Sequence, residues 1–443
     1  MVEQRLHRPL GAFETALTLT GEHAPFVVVA VIHLEDGPGP DRLRWVLDQL
    51  QRRYPLLRVR IVRRGRDFWY DSAKVPPVPL EVFRQDGEEH WKRLAEAELN
   101  RPFDAARGPL LRCSYLVPSN DSSGERTGSS DLVLTFHHAV MDGTSGTVFV
   151  NRLLALCAAD ESSGAAPPEE ALPAVETFFP PRFRGLSGAW RRAEYLARNL
   201  GDEILFRLRS RGVRRPPIDG SARCRILCGE LPREPTSALI RRLRSHRLTV
   251  ATALNTAFLM AAYKHLYGGS GAPLRYMQFA DLRPYLRPPV AEHHLGSFIS
   301  MLRFTANLHG PQSFWPLAHR LSRQVAAGFG RGDKFTAALL AQTLMRTMIH
   351  RRSERMAATA VSYAGVTRLV DRPDGAAGVG IHAFVSNIDI GPELTAQARL
   401  FEGRLMLDAV YLDVDMDEGR AQRAMQEVLE ILEEAAKGGG DNE

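Results

Sequence analysis

From Asp131 to Leu156 the chain reads DLVLTFHHAVMDGTSGTVFVNRLLAL, and its hydrophobic pattern changes period part-way. Leu132, Leu134 and Phe136 alternate with Val133 and Thr135, and nearly every position is apolar, which predicts a strand buried on both faces. Two histidines, His137 and His138, end it; a tight turn at Met141-Asp142-Gly143 follows, then a helix over 146–159. Thr144 or Ser145 is placed to cap that helix, and Val148, Leu153, Leu156 and Cys157 form its apolar stripe.

Upstream, the polar lead-in RPLGAFET precedes a predicted strand over 26–34. A helix over 41–53 follows, with Leu43, Val46, Leu47 and Leu50 on one face, and Tyr54-Pro55 ends it. Strands are expected over 57–63 and 110–117, the latter leading through the hairpin tip SNDSSGERTGSS into the histidine strand. ESSGAAPPEEALPAVETFFPPRF reads as a surface loop of low order. The helix over 188–211 ends in the basic run LFRLRSRGVRRPP, which is a solvated face or a docking patch for a carrier protein or CoA. Residues 212–221 mark the boundary between halves.

The second half opens with a strand over 222–230 and a helix over 236–245. Thr249 caps a long helix over 250–266 that is apolar nearly all round and stops at Gly268-Gly269. Strands are predicted over 274–280, within HHLGSFISMLRF, and over 361–366, 384–390 and 403–411; helices over 314–327, 334–356 and 418–436. Helices and strands mix without strict alternation, so the chain is α/β (α+β) but not a simple doubly wound sheet. The expected division is an N-terminal lobe over 1–185, a basic helix and linker over 186–221, and a C-terminal lobe over 222–443.

A chain of 443 residues supports two domains or one two-lobed unit, and 44% hydrophobic with 24% charged content is that of a soluble globular protein. The N-terminus lacks a secretory pattern and no apolar run reaches the ~18 residues of a spanning helix, so a cytoplasmic location is expected. Four cysteines are too few to staple the fold; Cys224 and Cys228, spaced C-x3-C, fit neither a redox pair nor a zinc knuckle and should share one strand face as core residues. The net charge of +6, largely arginine, favours anionic partners such as CoA phosphates or an acidic carrier protein. No recognition helix or aromatic-interleaved basic pattern points to nucleic acid.

Neighbouring strand residues point to opposite faces, so one of His137 and His138 faces a cavity while the other packs inward. Asp142 sits where its carboxylate can reach back beneath His138, and Gly143 leaves room for a substrate arm. The alternative is a pair of core histidines beside a helix cap. A metal-dependent hydrolase using His137, His138 and Asp142 is disfavoured by the opposed histidines; no metal site is expected.

His137-His138-Ala139-Val140-Met141-Asp142-Gly143 resembles the HHxxxDG signature of the chloramphenicol acetyltransferase superfamily, which includes condensation domains, alcohol acyltransferases and mycobacterial lipid acyltransferases. YPLLRVRIV and LNRPFDAARGPLLRCSYLV resemble the early blocks of condensation-type domains. Asp281-Leu282-Arg283-Pro284-Tyr285-Leu286, Leu295-Gly296-Ser297-Phe298-Ile299-Ser300 and Val361-Ser362-Tyr363-Ala364-Gly365-Val366 resemble later blocks in the family's order. Tyr363-Ala364 departs from the usual Asn-containing pair, and the plant DFGWG block is absent.

This resemblance implies two related lobes forming a V with a tunnel between them, in a stand-alone member serving secondary metabolism or lipid biosynthesis. It makes His138 the general base, with His137, Asp142, Gly143 and Arg283 as structural support; Arg283 is expected to pair with Asp142. Thr144, Ser145, Gly296, Ser297, Phe298, Ser300, Ser362 and Tyr363 are the expected channel residues, and Thr144, Ser297, Ser300 or a backbone N–H after Gly143 the candidate oxyanion donors. The implied reaction is direct acyl transfer to an alcohol or amine, with acyl-CoA or a phosphopantetheinyl thioester on an acyl carrier protein as co-substrate and no resident cofactor. A non-catalytic condensation-like module that binds a carrier protein is the alternative.

Overall fold

The computed structural model describes residues 6–35, 37–118, 129–159, 167–210, 221–269, 271–350, 355–369 and 379–437. The hairpin tip and the boundary over 212–221 fall almost wholly outside them. The protein is mixed α/β and divides into two compact units. One holds Met1–Phe178, Pro288–Phe298 and Leu369–Ser386; the other holds Phe179–Arg287, Ile299–Arg368 and Asn387–Glu443. The units are therefore not contiguous in sequence: the later part of the chain supplies two segments to the first unit.

The first unit is built on a five-stranded sheet in the order Val379–Val385, Val27–Leu34, Ser130–His137, Leu111–Val117, Leu80–Arg84. Every residue of the histidine strand Ser130–His137 is buried, as its unbroken apolar run requires of a central strand. It pairs antiparallel with Val27–Leu34 from Val27↔His137 to Leu34↔Ser130. Val379–Val385 completes the sheet beyond Val27–Leu34, which explains its membership of this unit. The strand expected over 384–390 thus ends at Val385. Beyond it the Asn387 amide oxygen accepts from Ile388 N and Gly391 N donates to Ile388 O, closing a turn instead.

Two helices of this unit, Ala12–His23 and His90–Leu99, escaped the hydrophobic pattern. In AFETALTLTGEH the threonines at 15, 18 and 20 interrupt the apolar residues, and Leu17 to Thr20 alternates with a period of two. Within the helix Thr18 and Thr20 satisfy their buried hydroxyls by donating to the carbonyls of Glu14 and Ala16 at 2.9 and 2.8 Å. Its start is closed by the Glu14 carboxylate, which accepts from Gly11 N at 2.7 Å. The strand expected over 57–63 begins with a 3-10 turn, Pro55–Arg58, before Arg60–Arg64. That strand, His7–Pro9 and Asp67–Asp71 make a separate three-stranded sheet.

The second unit carries a six-stranded sheet ordered Ile299–Asn307, Pro273–Asp281, Thr359–Val366, Leu394–Phe401, Arg404–Leu412, Cys224–Leu231. Thr359–Val366 pairs parallel with both its neighbours and the remaining pairs are antiparallel. Val250–His265 is the core helix, capped as expected by the Thr249 hydroxyl, which accepts from Thr252 N at 3.1 Å. Its alanines and leucines pack against the sheet on one side and Glu418–Lys437 on another. Cys228 corrects the sequence reading: Cys224 is buried, but Cys228 is exposed. Their strand is the sheet edge, and only its two ends, Cys224 and Leu231, are covered.

Candidate active site

The histidine strand stops one residue short of the expected end. His138 opens a single 3-10 turn, His138–Val140, so its direction is set by that turn and not by strand alternation. Tyr70, itself fully buried, donates its hydroxyl to the Ala139 carbonyl at 2.9 Å and holds the turn in place.

The two imidazoles have different surroundings. His137 packs inward: its Nδ1 accepts from Ala139 N at 3.2 Å, and its ring meets Phe103 edge-on. A Cβ on Gly21 would lie 3.0 Å from His137 Nε2, so the glycine is what admits the ring. Burial, helped by the neighbouring His138, pulls the His137 pKa down to about 4. His138 stacks on Phe26 with ring centroids 5.3 Å apart. Its Nδ1 lies 2.9 Å from the Met141 carbonyl oxygen. A carbonyl only accepts, so Nδ1 carries the hydrogen and Nε2 keeps its lone pair. Among the described residues nothing hydrogen-bonds Nε2, and the side chain is not sealed: His138 is 8% exposed. Burial lowers the His138 pKa, opposed by its hydrogen bonds to backbone carbonyls and by the Asp142 charge.

Asp142, rather than Thr144 or Ser145, caps the motif helix, which starts at Gly143 and runs to Ala158. One carboxylate oxygen accepts from Ser145 N at 2.8 Å; the other accepts from Phe298 N at 2.8 Å. Asp142 N donates to the Gly296 carbonyl at 3.1 Å, and the Ser145 hydroxyl both donates to that carbonyl and accepts from Gly296 N. The 296–298 segment is thus fastened to the histidine turn and the start of its helix through four hydrogen bonds. A Cβ on Gly296 would fall 2.6 Å from the Phe298 ring, so this loop needs glycine there. The spacing of the two segments in sequence gave no sign of this clamp.

Several expected channel residues are engaged elsewhere. Ser145 is fully buried inside the clamp, and Ser300 is fully buried in the second unit with its hydroxyl donated to Lys334 O at 2.6 Å. Both hydroxyls, expected to face a substrate channel, are engaged within the protein. Ser362 and Tyr363 are half-buried on Thr359–Val366, where Tyr363 packs against the second unit's core. Arg283 is 2% exposed in the second unit, its Nη1 3.3 Å from Asp281 Oδ1. Gly143 is exposed, and a Cβ there would meet nothing within 4 Å. Thr144 is half-buried at the helix start.

Ser297 is 4% exposed and its hydroxyl has no partner among the described residues. With Phe298 it lines a cavity shared with Arg8, Glu14, Tyr54 and Glu169, whose walls do not include His138. Ser297→Ala should therefore match the wild type in stability or exceed it by up to ~1 kcal/mol, since a buried unpaired hydroxyl is a cost. Thermal denaturation checks this; a clear loss would mean the hydroxyl has a partner.

His137 makes stability depend on pH. Its folded pKa, about 4, lies below the ordinary 6.5, so the folded state binds this proton more weakly than the unfolded chain. The associated stability is complete above 6.5 and disappears as pH falls from 6.5 to about 4, at most ~3 kcal/mol. Urea midpoints at both ends of that window, for wild type and His137→Gln, should show a smaller acid loss in the variant.

Residues 15–178 match the family model of the condensation domain, and residues 221–410 match that of the phthiocerol/phthiodiolone dimycocerosyl transferase C-terminus. The chain is thus similar to condensation domains over its earlier part and to this transferase family over its later part. This condensation-like protein is 28% identical to phosphinothricin tripeptide synthetase PhsC of Streptomyces viridochromogenes, over 72% of this chain and 32% of the synthetase. It is 27% identical to a linear gramicidin synthase polypeptide of Brevibacillus parabrevis, over 54% of this chain and 3% of that polypeptide. It therefore spans about a third, or far less, of these much longer relatives.

Its fold is that of the trichothecene 15-O-acetyltransferase of Fusarium sporotrichioides (TM-score 0.74, 11% identity, covering 98% of this chain and 96% of the other). Polyketide synthase associated protein 5 of Mycobacterium tuberculosis is similar (TM-score 0.68, 16%, 97% and 99%). So is the cyclization-docking bidomain of Sorangium cellulosum (TM-score 0.70, 15%, 99% and 86%). No described helix of the condensation-like protein is long and apolar enough to cross a membrane.

Proposed function

We propose that this protein transfers an acyl group from a thioester, carried by coenzyme A or by a carrier protein, directly to a hydroxyl or amine, with Nε2 of His138 as general base. The carrying observation is the 2.9 Å contact of His138 Nδ1 with the Met141 carbonyl, which commits the ring to one tautomer and leaves Nε2 as the basic atom. The lowered pKa keeps that atom unprotonated at neutral pH.

In the proposed reaction the acceptor oxygen or nitrogen attacks the thioester carbonyl carbon as its proton passes to Nε2. The tetrahedral intermediate collapses with cleavage of the carbon–sulfur bond, and the imidazolium returns the proton to the departing thiolate. Ester or amide and free thiol result, and no acyl-enzyme forms. Base catalysis of this kind is worth roughly 10²–10⁴-fold. The developing oxyanion is assigned to the backbone N–H groups that open the motif helix beside Gly143, since Ser300 is committed to Lys334 and Ser297 lines a cavity apart from His138.

The relatives bring both ester- and amide-forming chemistry into range. The test is mass spectrometry of products from a panel of acyl-CoAs and acyl carrier proteins with mixed alcohol and amine acceptors. A His138-dependent ester or amide supports the reading; binding of a carrier protein with no product across the panel favours a non-catalytic module instead.

A further inference from the structure

The second unit displays a feature that acyl transfer does not use. Helix Gly185–Arg209 has 25 residues and buries only Gly188 and Tyr195. Its inner face is tied to its own unit: Arg198 pairs with Asp333 at 2.8 Å, Glu203 takes Arg275 at 2.6 Å and Arg303 at 3.3 Å, and Asp202 accepts from the Thr305 hydroxyl. Its outer face is large and apolar: Leu186 is 91% exposed, Trp190 75%, Leu200 61%, Ile204 50% and Leu208 54%. At ~100° per residue these five fall within an arc of about 80°, a single stripe some 33 Å long.

Charge separates along the same segment. From 182 to 215 the sequence holds ten arginines and three carboxylates, a net of +7, against +6 for the whole chain; everything else is close to neutral. Two of those three carboxylates, Asp202 and Glu203, are engaged by the unit's own sheet, and Glu203 also takes the exposed Arg207 at 2.7 Å, so the segment as a whole keeps its positive excess.

We propose that helix Gly185–Arg209 lies in the surface of an anionic lipid bilayer, its apolar stripe among the acyl chains and its arginines on the headgroup phosphates. A stripe one helix wide suits a plane of lipid, where arginine stems extend along the apolar face to reach phosphate. A second copy of the chain would bring two strongly basic segments together, which charge opposes. An acidic protein would answer the arginines but must also supply an apolar groove for the whole stripe.

The test is cosedimentation of the full chain with vesicles of phosphatidylcholine alone or with about a third phosphatidylglycerol. Pelleting with the anionic vesicles only, reversed by high salt, is expected. Leu200→Glu/Ile204→Glu should weaken it at least ~10-fold, since two apolar side chains no longer enter the lipid. Arg207→Gln/Arg209→Gln should weaken it several-fold, by roughly 1 kcal/mol per charge. Leu200 and Ile204 are exposed, so the Glu variant should melt at the wild-type temperature. Arg207 pairs with Glu203 at the surface, an interaction worth only ~0.3–0.5 kcal/mol, so the Gln variant should melt within a few degrees of it. No binding to anionic vesicles, or equal binding by the Glu variant, overturns the proposal. So does a wild-type dimer that the Glu variant splits, or displacement of vesicles by an acidic carrier protein. The readout needs no acyl substrate, so it stands or falls apart from the transfer reaction.

Discussion

His138→Ala is expected to lose transfer by at least ~10²–10⁴-fold while the protein remains folded. The ring stacks on Phe26 and hydrogen-bonds Met141 O. Loss of the stack and the hydrogen bond should cost no more than ~2 kcal/mol. The wild-type pH profile makes the same point without a substitution. Because burial lowers the His138 pKa, the acid limb of kcat/KM should fall below 6.5, the ordinary histidine value. An alanine variant with full turnover would remove the imidazole from the mechanism.

Asp142→Ala is expected to cost about 2–4 kcal/mol and to lower activity with it. The variant loses the cap on the motif helix, worth ~0.5–2 kcal/mol, and strands the buried Phe298 N–H, worth ~1–3 kcal/mol. Asp142→Asn keeps a carbonyl oxygen for one of the two donors and should fall between wild type and alanine. Denaturant midpoints of the three proteins give the order; an alanine variant as stable as wild type would show that the clamp carries little of the fold's free energy.

The sequence was most readable where burial is simplest. The histidine strand, the motif helix, the Thr249 cap and the all-round apolar helix Val250–His265 follow from apolar runs and cap residues. It was least readable where side chains override period. In Ala12–His23 buried threonines that back-bond to their own helix blur the apolar stripe, and Leu394–Phe401 was missed altogether. At the site, the motif located His138, but not the 3-10 turn that aims it. Nothing local announced Phe26 beneath the ring, Tyr70 behind the turn, or Gly21 against His137. Asp142 was read for its charge alone; that its two oxygens also accept from backbone N–H groups, one from a loop far along the chain, had no local signal.

The last strand of the first unit's sheet has a bearing on how this protein is made. Val27–Leu34, almost wholly aliphatic, is flanked on one side by a segment that leaves the ribosome some 350 residues later. Until Val379–Val385 arrives, a nascent chain carries eight residues of VVVAVIHL with one row of amides and carbonyls unsatisfied, the geometry that recruits foreign strands. Chaperone demand during synthesis should concentrate there, and His33, the sole polar residue of that strand, is its one built-in deterrent to aggregation.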